Sequence, residues 1–250
     1  MRHGHPPLVL LAGMNCTQDL WADAGLDADG GAIRPVLDRP SVSGQVGALL
    51  AALPETSVLV GHSLGGIVGM ALALAAPERV AGLCVVSTNA KAPTDAQRDG
   101  WRSWLAALED GVSPRSLQDS ILNPLLGEVV ARDRPDLVSR VLRMGDDTGD
   151  VLLRTQLEMQ LTRTDQLSRL HELRMPVLVV SGLDDVICPP HFHTEIVSAS
   201  PDARLVSLDA GHMLPMERPR EFGDLVRSWL GQHRFAVPTA SGAAVVSVRR

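Results

Sequence analysis

Three side chains in this sequence have the types and the order needed to break an acyl bond. Ser63 stands in Gly61-His62-Ser63-Leu64-Gly65, directly after the apolar run Ser57 to Val60 and at the head of an apolar stretch, Leu64 to Ala76. Two aspartates, Asp184 and Asp185, follow the apolar run Pro176 to Val180, and His212 follows Ala210-Gly211 near the end of the chain. A serine hydroxyl alone is a poor nucleophile. An imidazole must take its proton, and a buried carboxylate must fix the imidazole tautomer and stabilise its cation. A serine on a sharp strand-to-helix turn, followed in the chain by acid and then histidine, is the arrangement of a nucleophile elbow. The glycines two residues either side of the serine remove side chains that would collide with each other and with neighbouring strands, and Gly66 lets the helix approach the sheet. The helix N-terminus also turns its dipole and free N–H groups toward a developing oxyanion.

These residues need a frame that brings three distant points of the chain together. Continuous apolar runs, suited to strands buried on both faces, occur at Leu8 to Ala12, Ser57 to Val60, Val80 to Val86 and Pro176 to Val180, with weaker ones at Ala32 to Leu37 and Arg204 to Leu208. Helical patterns lie between most of them, at Val42 to Leu53, Leu64 to Ala76 and Pro219 to Leu230. Strand–helix alternation predicts an α/β architecture: a mostly parallel sheet with helices on both faces. A carboxylate after one strand and a histidine after the last then share a sheet edge with Ser63.

The alternation stops between Asn89 and Leu173. Short helices are predicted there at Thr94 to Glu109, Pro114 to Leu122, Asp136 to Met144 and Asp150 to Leu161, punctuated by prolines. An insertion of this size reads as a cap or lid, placed after the fourth predicted strand. The expected organisation is a core of residues 1–89 and 173–231, a cap of residues 90–172, and a tail of residues 232–250 left unassigned between a disordered end and an added edge strand.

With the serine motif, Gly-x-x-Asp-x-x-x-Pro at Gly182 to Pro189 and Gly-His at 211–212, the chain resembles the α/β-hydrolase superfamily from about Leu8 to Leu230. The resemblance implies that Asp185 is the acid, with Asp184 the runner-up. It also implies that the backbone N–H groups of Met14 and Leu64 form the oxyanion hole, although Ala12-Gly13 stands where relatives usually carry His-Gly or Pro-Gly. The implied reaction is hydrolysis of a small carboxylic ester or lactone through an acyl-serine, without metal or organic cofactor. Val86 to Lys91 and Thr94 to Trp101 are loosely similar to the strand-to-cap junction of enol-lactone hydrolases. Carbon–carbon bond hydrolysis, thioester hydrolysis or acyl transfer, and a lyase, cyclase or ligand-receptor role remain alternatives, because function lives in the site and not the fold. A serine nucleophile argues against the branches that use aspartate.

Composition narrows the partners. The 250 residues carry 23 basic and 29 acidic side chains, with 45% hydrophobic residues, no tyrosine and Lys91 as the only lysine. No run of like charge suggests a nucleic-acid or membrane footprint, and the longest apolar stretch, Ile67 to Ala76, is about half a membrane span. Three scattered cysteines, Cys16, Cys84 and Cys188, suit a reducing compartment rather than a disulfide framework. The expectation is a cytoplasmic monomer or homodimer acting on a small molecule. Trp21, Trp101, Trp104, Met144, Met159, Val186 and Met213 are candidate walls of the substrate pocket. Cys16 is read as a pocket-wall or buried thiol. His191 and His193 are read as a surface pair at a helix start rather than metal ligands, and His3 and His5 likewise.

Overall fold

The computed structural model describes residues 6–26 and 31–233. Its centre is a sheet of five parallel strands in the order β1-β2-β3-β4-β5: Leu8–Leu11, Ser57–His62, Val80–Val86, Val177–Gly182 and Ala203–Leu208. Four of the five are buried almost throughout, as their unbroken apolar runs require, while β5 is a half-exposed edge. The predicted strand Ala32 to Leu37 is reduced to one bridge, Ile33 to Val9 on the free side of β1. Ile33 donates to the Leu8 carbonyl and accepts from the Leu10 N–H. Pro35 then has no N–H to continue the ladder, so pairing stops. As expected, the inserted helices follow Val80–Val86, which is therefore the third strand of the sheet.

Alternate strand residues feed two cores. Leu10, Val58, Val60, Cys84, Val86, Leu178 and Val180 face Trp21, Phe222 and Trp229, the last two on α10 (Pro219–Gln232). Val9, Leu11, Leu59, Leu83, Val85, Val177 and Val179 face α1 (Val42–Ala52) and α2 (Leu64–Ala75). Helices thus cover both faces, the predicted architecture.

Between β3 and β4 the chain forms α3 (Asp95–Glu109), α4 (Pro114–Ser120), α5 (Leu122–Leu126), α6 (Glu128–Asp133) and α7 (Pro135–Leu161). The two helices expected at Asp136 to Met144 and Asp150 to Leu161 are the halves of α7, bent where Gly149 leaves helical geometry at φ 71° and ψ 166°. Leu108, Leu117, Leu153 and Leu157 give α3, α4 and α7 a small core of their own, flanked by Trp101 and Trp104. Ala90, where the insertion leaves the sheet, accepts hydrogen bonds from Gln166 and Leu167 where it returns. The described residues close with α8 (Pro190–Ala199), β5, α9 (Leu214–Glu217) and α10. The tail's fate beyond residue 233, and His3 and His5, lie outside the described residues. No helix among the described residues is long and apolar enough to cross a membrane.

Candidate active site

All five strands run the same way, so their carboxyl ends meet at one edge. After β1 the chain steps outward to Ile33 and then crosses back to β2 on the other side of β1. Such a reversal opens a crevice at the strand ends, where α/β sheets bind ligands. Around that crevice stand Gly13 and Met14 after β1, Ser63 after β2, Thr88 and Asn89 after β3, Asp185 after β4 and His212 after β5.

Ser63 occupies a sparsely populated backbone region, φ 52° and ψ −115°, between β2 and α2. The turn is held by the Ser63 N–H donating to the Val86 carbonyl, and by the Ser63 carbonyl accepting from the Gly66 and Ile67 N–H groups and the Thr88 hydroxyl. Its glycines are required by space. A Cβ on Gly61 would stand 2.4 Å from the Gly65 carbonyl oxygen, and one on Gly65 2.0 Å from that of Leu11. Leu64 is the first residue of α2, where an N–H has no intrahelical acceptor. The Met14 N–H likewise meets no backbone acceptor among the described residues.

Asp185 and His212 are joined. The His212 Nδ1 lies 2.9 Å and 3.1 Å from the two carboxylate oxygens, and both side chains are almost wholly buried. The carboxylate also accepts the N–H groups of Ile187 at 2.9 Å and Cys188 at 2.8 Å. Burial pushes the Asp185 carboxyl up, but the His212 ring and the Cys188 N–H outweigh it, and the net shift is downward. Since Nδ1 faces the acid, Nε2 is the nitrogen left for another partner. Asp184, one residue earlier, is exposed.

Two further histidines brace this edge. His62 is buried and its Nε2 lies 2.9 Å from the His212 carbonyl oxygen. A carbonyl only accepts, so His62 carries its proton on Nε2. Burial pulls it down to about 3, which keeps it neutral. His193 is not at the surface. It is fully buried, with Nε2 accepting the Thr88 N–H at 3.1 Å and Nδ1 3.0 Å from the Ser181 hydroxyl. Burial pulls it down to about 4. The helix-start reading put it at the surface because its partners come from β3 and β4, which sequence spacing cannot show; His191 is exposed. Glu217 accepts the Gly211 N–H next to His212, and burial raises its carboxyl to about 7.

A cavity of about 310 Å³ covers the site. Ser63, His212 and Met14 lie on its sheet side, and Trp101, Trp104, Gln118, Leu125, Gln160 and Arg163 on its helical side. A small apolar pocket with a few convergent polar groups is the usual form of a small-molecule site.

The α/β hydrolase fold model matches residues 40–219, more than two thirds of the chain and a span that holds Ser63, Asp185 and His212. The chain belongs to the α/β hydrolase fold family. Among its relatives, a protein provisionally named carbamate hydrolase RutD from Azorhizobium caulinodans is 27% identical over 230 residues, which cover 85% of this chain and 80% of that protein. A pimeloyl-[acyl-carrier protein] methyl ester esterase from Aromatoleum aromaticum is 28% identical over 249 residues, covering 88% and 96%. In structure the chain is similar to a thermophilic esterase from Thermogutta terrifontis, with a TM-score of 0.82, 22% identity, and coverage of 91% of this chain and 90% of that one.

In this hydrolase the expected pocket residues divide. Trp101 and Trp104 are on the cavity wall. Trp21 is not: it is buried between His62, edge-on at 6.4 Å, and Phe222, stacked at 6.0 Å. Met144 and Met213 lie in the same core as Trp21, Met159 lies in the opposite core, and Val186 is exposed to solvent. Each was placed by its neighbourhood in the sequence, but strand and helix faces decide which side a residue shows. Cys16 is buried in the core and burial pushes it up to about 12; the cavity thiol is Cys188. One atom each of Asp185, Cys188 and His212 lie within 4.8 Å of one another. The Asp185 oxygens are already spent on N–H donors and burial pushes the Cys188 thiol up, so the set is occupied by hydrogen bonds. Sequence reasoning missed Thr88, Asn89, Gln118, Gln160, Arg163 and Cys188. Isolated polar residues in loops and helices carry no signal until those segments are placed around the sheet edge.

Proposed function

We propose that this hydrolase cleaves a small carboxylic ester or lactone through an acyl-serine intermediate. The observation that carries the reading is that the buried Asp185–His212 pair opens on the same 310 Å³ cavity as Ser63 on its strained turn. Ser63 is the nucleophile, His212 the general base and Asp185 the group that fixes the imidazole. The Ser63 proton passes to His212 Nε2 as Oγ bonds to the substrate carbonyl carbon. The carbonyl oxygen becomes an oxyanion facing the Met14 and Leu64 N–H groups at the positive end of α2. The alcohol oxygen then leaves with the proton from Nε2, and the acyl group stays on Ser63. Water repeats the steps: it gives a proton to Nε2 and its oxygen to the acyl carbon, and Ser63 leaves with that proton. No step needs a metal or an organic cofactor. Residues 90–172 act as a cap that closes the cavity and sets which acyl groups fit, with Trp101 and Trp104 on its inner face.

A fluorophosphonate probe tests this directly. It is expected to label the wild type on Ser63 and to leave Ser63→Ala unlabelled, with turnover of short para-nitrophenyl esters lost in the same variant. Labelling that persists on Ser63→Ala would remove Ser63 from the role.

A further inference from the structure

Among the described residues, the cavity wall holds one permanent charge, and it is positive. Arg163, just past the end of α7, is only 5% exposed and lines the same cavity as Ser63 and His212. No aspartate or glutamate lines the cavity, and no carboxylate among the described residues forms an ion pair with Arg163. Its partners are all neutral. Nη2 donates to the Asn89 side-chain oxygen at 2.8 Å and to the Lys91 carbonyl at 2.9 Å, and Nη1 donates to the Gln160 side-chain oxygen at 3.1 Å. The Trp101 ring lies 5.5 Å from the guanidinium carbon. A guanidinium has five N–H donors. Three are used, and Nε is buried with no acceptor among the described residues.

Burying a cation without a counter-charge is costly, and folded chains normally pair such a group. Here the surroundings hold the guanidinium in place without neutralising it. Burial pulls it down to about 10, so it stays charged at neutral pH. The arginines with a described ion pair all have side chains at least 20% exposed, so a buried and unpaired one in the cavity is the exception among the described residues. The missing counter-charge has a natural source in whatever fills the cavity.

We infer that Arg163 recognises a carboxylate on the substrate, so that the ester or lactone cleaved at Ser63 carries a second, free acid group on its acyl part. This rests on the hydrolase reading and narrows it to half-esters of short dicarboxylic acids and to lactones bearing a carboxylate. Guanidinium and carboxylate match as a charge-assisted pair, and the dry cavity strengthens the attraction. Asn89 and Gln160 hold the guanidinium plane, and the Trp101 ring backs it.

The test compares monomethyl glutarate with methyl pentanoate, a neutral ester of nearly equal length, by methanol release at neutral pH. The wild type is expected to favour the half-ester in kcat/KM. Arg163→Gln should lower kcat/KM for the half-ester about 10- to 100-fold, the range of one hydrogen bond to a charged group, and change the neutral ester less than about 3-fold. Arg163→Lys should restore part of the preference. A second arm needs no turnover: glutarate should raise the melting temperature of the wild type, glutaramide should not, and Arg163→Gln should abolish the glutarate effect. Equal losses on both esters would reduce Arg163 to a strut for Asn89 and the Lys91 carbonyl, and would overturn the inference. So would a wild type that prefers the neutral ester, a result that stands even if Arg163→Gln fails to fold. Glutarate binding without turnover of either ester or labelling of Ser63 would sink the hydrolase reading and keep the anion site. Labelled Ser63 with equal turnover of the two esters would do the reverse.

Discussion

The sheet edge and the helical roof above it meet at one cavity but are built by different means. At the edge, backbone lies on backbone: a Cβ on Gly65 would stand 2.0 Å from the Leu11 oxygen, and one on Gly182 2.4 Å from the Gly211 oxygen. At the roof, long side chains make much of the contact. Asn15, beside the Met14 N–H and itself at φ 54°, takes the Gln156 amide oxygen on its N–H at 2.8 Å and donates its side chain to Gln118 at 2.8 Å and to the Pro114 carbonyl. Backbone joins roof to edge as well: the Leu125 carbonyl of α5 accepts the N–H groups of His212 and Met213. Backbone contacts leave no room for change, whereas amide side chains can swing or be exchanged. In the proposed function, the edge carries the chemistry and the roof sets what the chemistry meets.

The sharpest break of that comparison is at the glycines. Gly65→Ala is expected to cost more than about 4 kcal/mol, because no flexible side chain can yield to the new methyl group. Gly149→Ala, at the bend of α7, meets nothing within 4 Å and strains only its own backbone, at about 1–3 kcal/mol. Chemical denaturation of both variants measures the difference. Equal losses would show that the edge is no stiffer than the roof.

Next in size is the acid. Asp185→Asn should leave the fold intact and lower kcat about 10⁴-fold, since an amide favours the wrong imidazole tautomer. Asp184→Asn, exposed one residue away, should change kcat less than about 3-fold, a difference within the spread of neutral surface substitutions. Steady-state kinetics of the pair would move the assignment if the ranking reversed.

The smallest expected effect is a pH dependence at the seam between edge and roof. Glu217 holds the Gly211 N–H, and its carboxyl is raised from 4.5 to about 7 by burial. Between those values the folded chain keeps a proton that the unfolded chain has released. Stability from this group is therefore full below about pH 4.5 and declines as pH rises to about 7, by roughly 2–3 kcal/mol. Glu217→Gln keeps an acceptor for Gly211 and should flatten that limb of the stability–pH curve. An unchanged curve would show that Glu217 does not titrate in this range.

How much of this was legible in the sequence follows the same division. The strand runs, the glycines around Ser63 and the Gly-x-x-Asp-x-x-x-Pro pattern are local, because the constraints behind them act between neighbours or on every residue of a buried strand. Ala32 to Leu37 misled because its apolar residues suit a strand while Pro35 ends the ladder. The weaker run at Arg204 to Leu208 became β5, an edge strand whose half-exposure explains its mixed composition. On the roof, the helices of residues 90–172 were readable from their periodicity and prolines, apart from α5, α6 and the joining of two helices across Gly149.

The sequence by itself determined the parallel sheet, the helical insertion and the places of Ser63, His212 and an aspartate after the fourth strand of the sheet, since apolar runs and steric demands for glycine are written residue by residue; the resemblance chose Asp185 over Asp184. Only the tertiary structure decided which side chains line the cavity. It sent Trp21, Met144, Met159 and Met213 into the core and Val186 to solvent, and it brought Thr88, Cys188 and Arg163 to the site. It also buried His193 between β3 and β4. The reason is physical: which way a side chain faces depends on the packing of whole elements, and Arg163 meets Asn89 across 74 residues of chain. No local pattern records that meeting.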